Sequence, residues 1–177
     1  HNNKLWFSGN QNIVQWYDPL KDSIRFYESK QSIPEDFDKI YGDSYHRIYE
    51  DSYHRIWVGS NKGIYYLDTT LQAFIKFNAH GRFQALNDGK VYALLEDSVN
   101  NALWIGSSEG LFRYDYRQKV LTERYTTQQL APHHLPEDYI LCLHKDKNEN
   151  VLWIGTQEGG LIRWDIEAHT YDHYTVA

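Results

Sequence analysis

The chain is 177 residues long, enough for one domain with a packed core, and its composition is globular at 41% hydrophobic and 24% charged residues. A net charge of −6 lacks the basic face that nucleic acid or an anionic membrane surface requires, so this segment is expected to touch neither. The single cysteine, Cys142, excludes an internal disulfide; no apolar run approaches a membrane span; and 15 Tyr with 6 Trp favour sheet over helix.

In chain order, strand signals begin with Leu5-Trp6-Phe7-Ser8-Gly9, then Ile13-Val14-Gln15-Trp16-Tyr17-Asp18, then Ser23-Ile24-Arg25-Phe26-Tyr27. A second group runs through residues 45–51, Ile56-Trp57-Val58-Gly59-Ser60, Gly63-Ile64-Tyr65-Tyr66-Leu67-Asp68 and residues 73–77. A third takes in residues 91–97, Leu103-Trp104-Ile105-Gly106-Ser107, Gly110-Leu111-Phe112-Arg113-Tyr114-Asp115 and residues 120–125. A fourth takes in residues 139–146, Leu152-Trp153-Ile154-Gly155-Thr156, Gly160-Leu161-Ile162-Arg163-Trp164-Asp165 and residues 170–174. The tryptophans at 6, 57, 104 and 153 recur at intervals of 51, 47 and 49 residues.

Each repeat thus holds short strands A to D. Strand A is nearly all apolar, which predicts burial on both faces, and strand D alternates, which predicts one wet face. No helical period competes. Four strands per 40–50 residues is the signature of a β-propeller blade. The fold expected is all-β: a β-propeller segment over 1–177, with three to four four-stranded antiparallel blades and breaks near 40, 88 and 136. Propellers close with about 4–8 blades, so further blades outside this stretch are expected, with completion of the arc by another chain as the alternative. The start at His1 and the lack of Met or a signal-peptide pattern likewise suggest a piece of a longer protein. Gly59, Gly106 and Gly155 are expected where a side chain would crowd the neighbouring blade, and the strand B tryptophans are expected between blades. Arg113 and Arg163 are expected to pair with acids on a neighbouring strand A. The hexapeptide Asp43-Ser44-Tyr45-His46-Arg47-Ile48 recurs as Asp51-Ser52-Tyr53-His54-Arg55-Ile56. The first copy should enter strand A and the second should form the A–B turn; a metal site from His46 and His54 is the disfavoured alternative.

The run Leu-Trp-Ile-Gly-Thr/Ser, Glu-Gly-Leu, Arg-Tyr/Trp-Asp, clearest at 101–115 and 150–165 and weakest at 4–18, resembles the two-component regulator propeller repeat. The resemblance implies the extracytoplasmic sensor region of a hybrid two-component histidine kinase, in the periplasm, anchored to the membrane through its parent and dimerising through it. Members of that family commonly respond to oligosaccharides. An oligosaccharide or other small ligand is therefore the expected partner, with no cofactor, no metal and no catalysis by this segment. The alternatives are a lyase of the streptogramin lyase type, with a histidine as base, and an interaction scaffold without a ligand.

The repeat positions are accounted for by blade packing, which leaves the B–C turns and the D–A linkers for recognition. Candidate ligand residues are Asn61, Lys62, His80, Arg82, Glu109, His133, His134, Gln157 and Glu158. An acidic sugar oligomer calls for guanidinium forks, amide donors and an aromatic platform, which Arg82-Phe83 and Tyr139 are placed to supply.

Overall fold

The structure is a computed structural model in which residues 4–8, 14–26, 47–71 and 73–175 are described. Among the described residues, fifteen strands form four separate antiparallel sheets. The first holds β1 (Leu5–Ser8), β2 (Val14–Asp18) and β3 (Ser23–Phe26), and the second β4 (Arg47–Glu50), β5 (Ile56–Ser60), β6 (Gly63–Asp68) and β7 (Ala73–Lys76). The third holds β8 (Val91–Asp97), β9 (Ala102–Ser107), β10 (Gly110–Asp115) and β11 (Val120–Tyr125), and the fourth β12 (Ile140–Lys145), β13 (Val151–Thr156), β14 (Leu161–Asp165) and β15 (Thr170–Tyr174). Each sheet is a simple meander, and the last three run from strand A to strand D. This is an arc of propeller blades, as the repeat predicts. Among the described residues the first blade shows three strands rather than four.

The hydrophobic core lies between blades, in three layers. Successive side chains of a strand point to opposite faces, so β5 and β9 each feed two layers. Ile56 and Val58 join Val14 of the first blade, whereas Trp57 joins Leu103, Ile105 and Tyr114 of the third. Trp104 in turn joins Leu152, Ile154 and Trp164 of the fourth. The rings of Trp57 and Tyr114 meet edge-on at 5.4 Å, and those of Trp104 and Trp164 at the same distance. The glycines follow the same logic. A Cβ on Gly59 would lie 2.7 Å from Val91 Cγ1, and one on Gly106 would lie 2.7 Å from Ile140 Cγ2, both in the next blade. Gly155 differs from the expectation, because a Cβ there meets Cys142 Sγ of its own blade.

Two further expectations are corrected. The strands buried along their whole length are β5 and β9, which are B strands, while the A strands β8 and β12 are only partly covered. The middle of a blade is sandwiched by both neighbours, whereas strand A is the sheet edge facing the propeller axis. Arg113 and Arg163 pair inside their own blades. Arg113 meets Glu123 on strand D and donates to the Asn100 carbonyl, and Arg163 meets Glu149 in the A–B turn and Asp172 on strand D. Within one meander these partners are closer than the next strand A.

Aspartates close the turns. Asp51, ending strand A, is 2% exposed and accepts from the Tyr53 and Arg55 N–H groups, from Arg55 Nε at 2.8 Å and from the Trp57 indole at 2.8 Å. Asp97 likewise holds Asn100 and the Trp104 indole, and Asp146 holds the Asn148 and Glu149 N–H groups. At the C–D turns Asp68, Asp115 and Asp165 each accept from the N–H groups two and three residues on. The second copy of the duplicated hexapeptide supplies Asp51 and the A–B turn. Of the first copy, Arg47 and Ile48 open β4, while residues 43–46, including the His46 of the alternative metal site, lie outside the described residues.

Candidate functional site

Three B–C turns and two long D–A linkers gather at one end of the blades. A serine or threonine closes each turn. Ser60 and Ser107 hydroxyls donate to the Gly63 and Gly110 carbonyls and accept from the Lys62 and Glu109 N–H groups. Thr156 does the same toward the Gly160 carbonyl. Gly110 has a φ of 107°, and a Cβ there would stand 2.3 Å from the Tyr125 carbonyl oxygen, so glycine is required. Its N–H donates to Asp138, and that of Gly63 donates to Gly89, tying each turn to the linker that enters the next blade.

The linkers are held firmly. The first forms a 3₁₀ helix, Gly81–Asn87, with Leu86 fully buried beneath it. Asn87 donates to the Ala79 carbonyl and accepts from the Ala79 N–H, each at 2.8 Å. In the second linker Leu135 is fully buried, the Thr126 N–H donates to the His133 carbonyl, and Thr127 donates from both N–H and hydroxyl to Asp138. With its amide turned so that the nitrogen donates, Gln129 bonds the carbonyls of His133 and Arg124.

Between the two linkers lies a cavity of about 200 Å³ lined by Arg82, Arg124, Gln129, Leu130 and His133. Arg82 comes from the 3₁₀ helix; its Nη2 donates to the Thr122 carbonyl at 2.6 Å and its guanidinium lies 4.8 Å from the Phe83 ring. Arg124 ends strand β11, donates from Nε and Nη2 to the Glu109 carbonyl and rests 5.3 Å over Phe112. The Glu109 carboxylate is 3.8 Å from Arg124. The His133 imidazole lies 5.1 Å from the Tyr125 ring, whose hydroxyl bonds Glu123. Burial first, then that carboxylate, pushes the Tyr125 phenol well above its ordinary range. The lining thus combines two guanidinium groups and an imidazole with an amide and Leu130.

Of the sequence-predicted residues, Arg82 and His133 meet in this cavity, and Glu109 touches it through Arg124. His80 is exposed just before the 3₁₀ helix. His134 turns instead to the Tyr171 hydroxyl, at 3.0 Å. Asn61 and Lys62 sit in one B–C turn and Gln157 and Glu158 in another, outside the cavity lining. Tyr139 lies beside Tyr92, 6.5 Å between rings, and does not line the cavity. Sequence reasoning missed Arg124, Gln129 and Leu130. A signal for Arg124 existed: the same strand D position is Lys76 and His173 in the other complete repeats, and His173 likewise contacts a B–C turn carbonyl, that of Gly159. Among the described residues no group of three or more His, Cys, Asp or Glu side chains is placed to hold a metal, and no helix is long and apolar enough to cross a membrane.

These features define a class: an arc of propeller blades with a small cavity lined by Arg82 and by Gln129, Leu130 and His133 of its linkers and by Arg124 of strand β11. Residues 42–62 and 134–158 match the two component regulator propeller, which bears out the resemblance read from the repeats. No curated protein matches the chain. Among solved structures, the extracellular domain of the hybrid two component system BT4673 from B. thetaiotaomicron aligns at TM-score 0.69 and 19% identity, over 96% of this chain and 23% of that one. PorZ, a surface component of the type-IX secretion system of Porphyromonas gingivalis, aligns at 0.69 and 16%, over 97% of this chain and 26% of its own. Streptogramin B lyase aligns at 0.65 and 16%, over 98% of this chain and 51% of its own. These likenesses establish the propeller fold, and the chain spans about a quarter of the first two.

Proposed function

We propose that this chain is a ligand-sensing segment of an extracytoplasmic propeller region, periplasmic, carried by a hybrid two-component histidine kinase and responsive to an oligosaccharide. The observation that supports it most is the division of labour along the repeat. Within the matched stretches, Asp51, Trp57, Val58, Gly59, Leu152 and Ile154 are taken up by blade packing and turn closure, while Arg82 and His133 of two D–A linkers converge on one cavity. On this reading 1–177 is one propeller segment, further blades of the parent extend the arc, and the parent dimerises to signal. A stretch of propeller holding rigid linkers in register suits recognition better than chemistry, since no nucleophile and base pair lines the cavity.

The test is a transcriptional reporter in cells carrying the intact protein, challenged in turn with neutral and acidic polysaccharides. An induced response that disappears when the two linkers are replaced by short Gly/Ser connectors is expected. A response that survives that replacement would move sensing to another part of the parent, and turnover of an added substrate by the purified protein would favour the lyase reading.

A further inference from the structure

We infer that the cavity between the two linkers is a subsite for a single anionic sugar unit, one bearing a carboxylate or a sulfate. The inference rests on the sensor reading and adds the chemistry of the ligand to it.

The donors carry the case. Among the described residues Arg82 commits only Nη2, to the Thr122 carbonyl, which leaves Nε and Nη1 without a hydrogen bond. Arg124 commits Nε and Nη2 to the Glu109 carbonyl, leaving Nη1. Among the described residues neither ring nitrogen of His133 is hydrogen-bonded, and its ring lies tilted 5.1 Å from that of Tyr125. Two guanidinium groups and an imidazole line one small cavity whose lining holds no carboxylate, and the Glu109 carboxylate meets Arg124 at 3.8 Å from outside that lining. Guanidinium pairs with free donors suit planar or tetrahedral oxyanions, which accept several hydrogen bonds at once. Both arginines are braced, by Phe83 and by Phe112, so less side-chain freedom is lost on binding than for an extended surface arginine.

Size and lining narrow the class. At about 200 Å³ the cavity falls below the ~300–1,000 Å³ of pockets that enclose drug-sized ligands, so it takes one unit of an oligomer and leaves the rest outside. Leu130, 87% exposed at the lip, offers an apolar surface to the C–H face of a pyranose ring, which a bare inorganic anion would not use.

The probe set is a digalacturonate, a sulfated heparin disaccharide, xylobiose as neutral disaccharide, and inorganic sulfate, each titrated calorimetrically into the intact protein. Arg82→Gln is the informative variant, because Arg82 is exposed and outside the blade core; Arg82→Lys keeps the charge and loses the fork. The expected result is binding of at least one acidic disaccharide ten-fold or more tighter than xylobiose or sulfate, weakened ten-fold or more by Arg82→Gln, less by Arg82→Lys, and weakened by added salt. The uronate and heparin arms tell carboxylate from sulfate. Equal binding of xylobiose, or acidic binding indifferent to Arg82→Gln, overturns the subsite while leaving an oligosaccharide sensor standing. Sulfate binding as tightly as either disaccharide overturns the sugar assignment. Silence across the set overturns the subsite, and the reporter experiment then decides the sensor reading on its own.

Discussion

The A–B turn of the second blade allows a quantitative test of how these blades are held. Asp51 and Asp97 occupy the same repeat position and both receive the indole N–H of a strand B tryptophan, but their other partners differ. Asp51 pairs with Arg55, whose guanidinium lies within 4.6 to 5.9 Å of the rings of Tyr53, Trp57, Tyr114 and Tyr116, and whose Nη2 is buried without a partner. Asp97 has only neutral donors, and its bond to Trp104 is long at 3.3 Å. Breaking a buried ion pair by removing one partner costs about 3–5 kcal/mol, because the survivor is left charged and desolvated. Arg55 is 28% exposed, which places Asp51→Ala at the lower end, about 3 kcal/mol. Asp97→Ala strands one buried indole N–H and an asparagine, worth about 1–2 kcal/mol. Urea unfolding followed by tryptophan fluorescence, with an unchanged slope, reads both. Adding Arg55→Met to Asp51→Ala should recover about 1 kcal/mol by removing the unpaired charge. Equal costs for the two alanine variants, or no recovery, would refute the assignment of Asp51 as the counter-ion of the aromatic-boxed arginine.

Two more outcomes follow from the packing and the turns. Gly106→Ala forces a methyl group against Ile140 and Ala93, at 2.7 and 3.3 Å, and should cost about 1–3 kcal/mol; in a double-mutant cycle with Ile140→Ala the combined cost should fall short of the sum by about 1 kcal/mol. The Asn148 and Glu149 N–H groups hold the Asp146 carboxyl below its ordinary value, so its contribution to stability is present above about pH 4 and is lost as pH falls through the lowered folded value. Asp146→Asn should therefore flatten the acid limb of a stability-against-pH curve measured by thermal unfolding, and an unaltered limb would contradict that role.

The periodic part of this protein was legible without coordinates. Trp6, Trp57, Trp104 and Trp153 with their trailing glycines set the number and kind of blades, because a strand pinned between two sheets tolerates few residue types at each position. The turn aspartates are local devices too, bonding N–H groups two to four residues away. Assigning burial to strand A failed for a physical reason: an apolar strand reads alike whether it is sandwiched or faces the propeller axis, and only the stacking of blades shows that β5 and β9 are the enclosed ones. Gly155 shows the same limit, since its motif matches Gly106 while its crowding neighbour is Cys142 of its own blade.

The candidate site divides along the same line. Composition of the linkers pointed to Arg82 and His133 separately, 51 residues apart, with nothing to join them. What joins them is the fold of one linker into a 3₁₀ helix over Leu86, the anchoring of the other by Leu135, and the end of strand β11 that carries Arg124 between them. Sequence alone determined the blades, because their contacts repeat with the chain. The cavity was decided only by tertiary structure, because it forms where two non-repeating segments are brought together by blades that each would fold without it.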